Sequence, residues 1–223
     1  SVESSRSDGP GAVALQRDVV AGLRAIARAN LDGTLAVRRA GGRMSDARDT
    51  FLPPLESAVR EALQRAPTLA EPEYHLGRLY RALLRFDDAR EAQSRALKRD
   101  PAFGPALYER IVLTAMQWRE RVRTVREEWT RNEGRRLAAA GALDRIDTGR
   151  ETSGSPPSDD VLTADDAGAR MLRHRIERDL AALDADPNAE PAARTCARAL
   201  AELAGGGQGA RERAVRLFRE SLQ

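Results

Sequence analysis

Residues 71–101 read EPEYHLGRLYRALLRFDDAREAQSRALKRDP, and this stretch decides the fold. Leu76, Gly77 and Tyr80 lie three and four apart, the spacing of a single helix face. Asp87 or Asp88 is placed to cap a second helix carrying Ala89, Ala96 and Leu97. Small residues at Gly77 and Ala89 let two antiparallel helices approach closely, with Leu76, Tyr80 and Phe86 filling the seam. Asp100-Pro101 then stops the chain, because proline lacks the N–H that a further turn needs. The stretch predicts a helical hairpin.

Upstream, Leu15, Val19, Leu23 and Ile26 repeat the helical spacing, and Asn30-Leu31-Asp32-Gly33 is placed to end that helix. Gly41-Gly42 makes a second interruption. Phe51, Leu55, Val59 and Leu63 form the next face, with Pro53-Pro54 at its expected start and Pro67 beyond its end. Residues 1–11, rich in Ser, Gly and charge, are expected to lack structure.

Downstream, Leu107, Ile111, Ala115, Trp118, Val122, Val125 and Trp129 step by three or four, a 3.5-residue seam held over three heptads. The helix is expected to run from Pro105 to about Arg145, roughly 60 Å. A loop over 147–163 follows, rich in Ser, Pro, Gly and Asp. Thr163, with Asp166 three residues on, should open a returning helix of about 33 Å. Met171 or Leu172, Ile176, Leu180 and Leu183 would form its apolar face. A last pair of helices would carry Cys196, Ala197 and Leu200, then Ala214, Phe218 and Leu222, with a glycine-rich turn at 205–209.

The Leu-Gly-x-x-Tyr, Phe-Asp-x-Ala and Ala-Leu-x-x-Asp-Pro elements of residues 76–101 resemble the tetratricopeptide repeat, a 34-residue helical hairpin that stacks into a superhelix. Gln93 departs from the pattern, which places an aromatic there. Ala62-Leu63 and Pro67 give the same ending 34 residues before Pro101, and Ala182-Leu183 with Asp186-Pro187 give it again 86 residues after. The resemblance thus implies an all-α superhelix over residues 12–223, with hairpins at about 12–67, 70–101, 104–187 and 190–222. The third hairpin would carry a long helical insertion. Such arrays occur in larger bacterial signalling proteins, including receptor-like serine/threonine kinases. An opening Ser1 in place of methionine is compatible with a piece of that kind.

Composition sets the limits of function. Only 4% of the 223 residues are aromatic against 41% hydrophobic overall, so the core must be built largely from Ala and Leu, which favours close-packed helices over sheets. Lys98 is the only lysine among 37 basic residues, which excludes a P-loop and a protein-kinase site. A net charge of +3 is nearly balanced over this length, so nucleic acid is an unfavoured partner. Glu120, Glu127, Glu128 and Glu133 interleave the arginines of the 119–136 stretch. One cysteine forbids an internal disulfide and leaves the redox compartment open. No apolar run approaches a membrane span. His174 and Glu177 stand three apart, but a single pair in that order reads as a surface ion pair rather than a metal site. No catalytic residue, cofactor or metal is expected.

A binding surface remains. By the resemblance, Tyr74, His75, Arg78 and Arg81 of the second hairpin would line a concave groove, followed by Tyr108, Glu109, Val112 and Met116 of the third. Arginines flanked by tyrosines suit an acidic or C-terminal carboxylate peptide. The chain therefore reads as a protein-interaction scaffold. Two rivals remain: a nucleic-acid binder using the 119–136 face, and a homodimer formed through Trp118, Val122, Val125 and Trp129.

Overall fold

The computed structural model describes residues 10–139, 158–205 and 209–222, and every regular element among them is a helix. The buried hydrophobic side chains are mainly Ala and Leu, as the scarcity of aromatics requires. The chain divides into two compact units, 1–110 and 111–223.

In the first unit, α1 (Pro10–Arg39) packs against α2 (Met44–Arg65), and both meet α3 (Glu71–Ala82). Of the segment 1–11 expected to lack structure, residues 1–9 lie outside the described residues, while Pro10 and Gly11 belong to α1. The expected break at 30–33 does not occur. Asn30 and Thr34 keep the helix running by turning their side chains onto backbone carbonyls one turn back: Asn30 Nδ2 donates to Ile26 O at 2.8 Å and Thr34 Oγ1 to Asn30 O at 2.9 Å. Gly33 serves close approach, since a Cβ there would overlap the Phe51 ring. The buried face is Leu23, Ala27, Asn30 and Thr34, and Ile26 is exposed. The helix ends at the glycine pair instead. Gly41 takes a φ of 70°, with Gly42 N donating to Val37 O and Gly41 N to Arg38 O, the Schellman pattern.

Pro53 and Pro54 do not start α2; they lie inside it. Both are exposed, as are Asp49 and Thr50, so the two carbonyls that lose their donors can be hydrated. The buried stripe is Leu52, Leu55, Val59 and Ala62.

The hairpin expected over 71–101 is present as α3 and α4 (Phe86–Arg99), which pack on each other. Leu76, Gly77 and Tyr80 are buried, as are Ala89, Ala96 and Leu97. A Cβ on Gly77 would overlap the Gln93 amide and come within 3.2 Å of Ala89 O, so glycine is required for the approach. Gln93, fully buried, donates from Nε2 to Tyr74 O at 3.2 Å. Neither aspartate caps α4: its N-cap is Arg85, and Asp87 and Asp88 sit within the first turn, where they favour the helix dipole. Glu73 is buried between Arg95 (3.0 Å) and Arg99 (3.7 Å), while Arg24 of α1 pairs with Glu71. Tyr80 Oη donates to Glu56 at 3.1 Å, and burial together with that carboxylate pushes its phenol up to about 12. Residues 104–110, the start of α5 (Gly104–Ala139), complete the unit with buried Ala106, Leu107 and Glu109.

The second unit contains the rest of α5, followed by α6 (Asp159–Thr163), α7 (Ala167–Ala185), α8 (Pro191–Gly205) and α9 (Ala210–Glu220). The long helix predicted to reach Arg145 is described as far as Ala139. Of the loop expected over 147–163, residues 147–157 lie outside the described residues, and Asp159–Thr163 is helical. Thr163 closes that helix, with Oγ1 donating to Asp159 O at 2.7 Å. The cap of α7 is therefore Asp166, which accepts from Ala169 N at 2.7 Å and from the Arg121 guanidinium of α5 through both oxygens. The arginine holds that carboxyl below the usual carboxylate range. Leu172, Ile176 and Leu183 are buried as expected, with Asp179 rather than Leu180 completing the face. α8 and α9 pack on each other, and Ala197, Ala204, Ala210 and Ala214 on them are buried.

Candidate functional site

The face of α3 carries four of the residues singled out in the sequence, Tyr74, His75, Arg78 and Arg81. Tyr74 and His75 are adjacent, with ring centroids 5.0 Å apart, and Phe103 meets the Tyr74 ring edge-on at 5.6 Å. The Arg78 guanidinium lies over the Tyr74 ring at 5.7 Å, one helical turn along. Burial raises the Tyr74 phenol, an effect partly offset by Arg78. His75 is lowered to about 4, first by burial and then by the charges of Arg78 and Arg24.

Glu109 packs against the arginines of α3. The side chain is 5% exposed and sits against both arginines: Arg81 Nε lies 2.8 Å from Oε2 and Arg78 Nε 3.7 Å from Oε1. It is an internal counter-ion to both. Both arginines stay 36% exposed, so two guanidiniums share one carboxylate and keep donors toward solvent. Tyr108 is half-buried.

Val112 and Met116 belong to the second unit, where they line a trough of about 740 Å³ that Trp118 also borders. Of the seam residues, Trp118 and Val122 are buried, and Val125 and Trp129 are half-buried. Along 119–136, Arg121, Arg123, Arg126 and Arg136 pair with Asp166, Glu120, Asp159 and Glu133 of the same chain. His174 and Glu177 are exposed. Among the described residues no group of three His, Cys, Asp or Glu is placed to hold a metal ion. No described helix is long and apolar enough to cross a membrane.

Sequence reasoning missed the burial of the two carboxylates of the first unit, Glu73 and Glu109, although the signal was there. Glu73 falls on the helix face of Leu76, Gly77 and Tyr80, and Glu109 on that of Ala106 and Leu113. A charged residue at a core position of the period needs a charged partner nearby.

No family model matches the chain, and neither a curated protein nor a solved structure shows significant similarity to it.

Proposed function

We propose that this chain is a non-catalytic, tetratricopeptide-like interaction module that takes an acidic peptide segment of a partner protein on the solvent side of α3. The surplus of guanidinium at Glu109 carries the reading: Arg78 and Arg81 together outweigh the one carboxylate they share, next to the Tyr74 ring. An incoming carboxylate finds charged donors already fixed by packing, and an aromatic face for its stem. The short helices of the α3–α4 hairpin and the Gly77–Ala89 approach support the repeat-like architecture.

Acidic peptides with free C-termini should bind the full chain, and Arg78→Ala should raise the dissociation constant about ten- to a hundredfold, the value of one charge-assisted hydrogen bond. Arg81 remains on Glu109 in that variant, so the circular dichroism spectrum should not change. Removing both arginines would strand a buried carboxylate and confuse binding with unfolding. Equal affinity of wild type and Arg78→Ala, measured calorimetrically, rejects the site. Steeply salt-dependent capture of DNA or RNA would replace it with a nucleic-acid interface on another face.

A further inference from the structure

The trough in the second unit is independent of the α3 face and shares no residue with it. Its walls are Val112, Ala115, Met116 and Trp118 of α5, with Leu200 and Leu203 of α8. Met116 and Leu203 are exposed at 43% and 37%, so apolar surface lines a cavity that opens to solvent. At about 740 Å³ the volume lies within the roughly 300–1,000 Å³ of small-molecule sites.

The polar groups at the rim are unevenly matched. Arg126 pairs with Asp159, whereas Arg119 and Arg211, both exposed, have no partner among the described residues. The start of α9 lies at the same rim; its N-cap, Gly209, brings no side-chain acceptor, and Glu212 stands in its first turn. Buried Trp118 keeps its indole N–H without an acceptor. All of the unmatched groups are donors or cations. The trough therefore combines an apolar interior with an anion-seeking edge.

The neighbouring surface limits the occupant's size. On one side the adjoining groove shares Met116 with the trough and adds Val122 among Arg119, Glu120, Arg123, Arg126 and Asp159. On the other it is lined by Arg211, Glu212, Arg216, Arg219 and Glu220 around Val215. Trp118, Leu200 and Leu203 line the trough and neither adjoining groove, so the broadest apolar floor lies in this one cavity. An amphipathic helix would need anchors spread over two turns or more.

We propose that this trough binds a single-chain amphiphile with an anionic head, of the fatty-acid class, its tail between α5 and α8 and its carboxylate on Arg119 and Arg211. Guanidinium is suited to that head, since it meets a carboxylate through two parallel hydrogen bonds.

The chain has two tryptophans, so Trp129→Phe leaves Trp118 as the sole fluorophore in the wall. Sodium dodecanoate, added to that full-length variant below its micelle concentration, should give a saturable one-site change in emission. Arg119→Ala/Arg211→Ala should weaken the binding about tenfold or more with helix content unchanged. Dodecyltrimethylammonium, with the same tail and opposite charge, should bind at least tenfold more weakly than dodecanoate. Leu203→Asp should abolish dodecanoate binding by placing a like charge among the tail contacts. An unsaturable response, equal affinity for the two amphiphiles, or indifference to loss of both arginines overturns the proposal. So does binding of only a peptide that ends in an apolar residue with a free carboxylate. None of these variants touches α3, so the trough and the acidic-peptide site stand or fall separately.

Discussion

His75 sits half-buried beside Tyr74, with Arg78 on its own helix and Arg24 of α1 contributing positive charge. Desolvation comes first and the two guanidiniums second, and all three oppose protonation. The unfolded chain takes up this proton near pH 6.5 and the folded chain only near 4. Between those values the unfolded state binds more protons, so the stability this residue contributes is complete above pH 6.5 and falls as pH drops through the window. Urea unfolding at pH 7 and pH 5 should show wild type losing about 2 kcal/mol more than His75→Gln. Equal losses in the two proteins would mean that His75 is open to water in the fold. At this scale the sequence was a partial guide. The adjacency of Tyr74, His75, Arg78 and Arg81 was readable from helix spacing, but the occupation of the arginines by Glu109 was not. Which carboxylate reaches them depends on how α5 packs against α3, which no local pattern specifies.

Helix ends show where local rules held and where packing overrode them. α1 ends on Gly41 and Gly42 by the route glycine favours. α3 ends by the same hydrogen-bond pattern, with Arg85 N donating to Tyr80 O and Leu84 N to Arg81 O, yet the left-handed position is held by Leu84 at a φ of 63°. A branched side chain there costs roughly 1–2 kcal/mol of backbone strain. Leu84 is largely exposed, so little burial offsets that strain. Leu84→Gly should raise the urea midpoint by the equivalent of about 1 kcal/mol, less than the strain relieved because glycine also loosens the unfolded chain. A lower midpoint would show that Leu84 stabilises the turn through its side chain. The hairpin of residues 71–101 was legible because its period, its small residues and its terminal proline agree with one another. α1 was misread because Ala27, Asn30 and Thr34 carry little hydropathy. Asn30 and Thr34 can be buried only because each satisfies its polar atom on the helix's own backbone. The prolines of α2 misled for the opposite reason, since a strong local signal was absorbed by solvent on an exposed face.

At the scale of the molecule, the first unit is closed by its own side chains: Leu55, Leu79 and Leu107 are buried in it, and its two interior carboxylates are paired within it. Residues 1–110 made alone should therefore keep their helical circular dichroism and unfold in one cooperative transition. A fragment that shows helix without a sigmoidal transition would place part of its stabilisation in residues 111–223. The division into two units was not legible in the sequence, because a single unbroken pattern of apolar spacing runs through Leu107, Ile111 and Trp118. That pattern reports a continuous helix and carries no mark of where one core gives way to the next.

Glu73 and Glu109 are each held by two arginines, 95 with 99 and 78 with 81. Engineers would call this redundancy. Either member of a pair can drift to another residue while its twin still neutralises the carboxylate, but the second loss is far more damaging than the first. The fold is thereby buffered against single errors at two interior charges, and the freed arginine of each pair is the one from which a new surface contact can evolve.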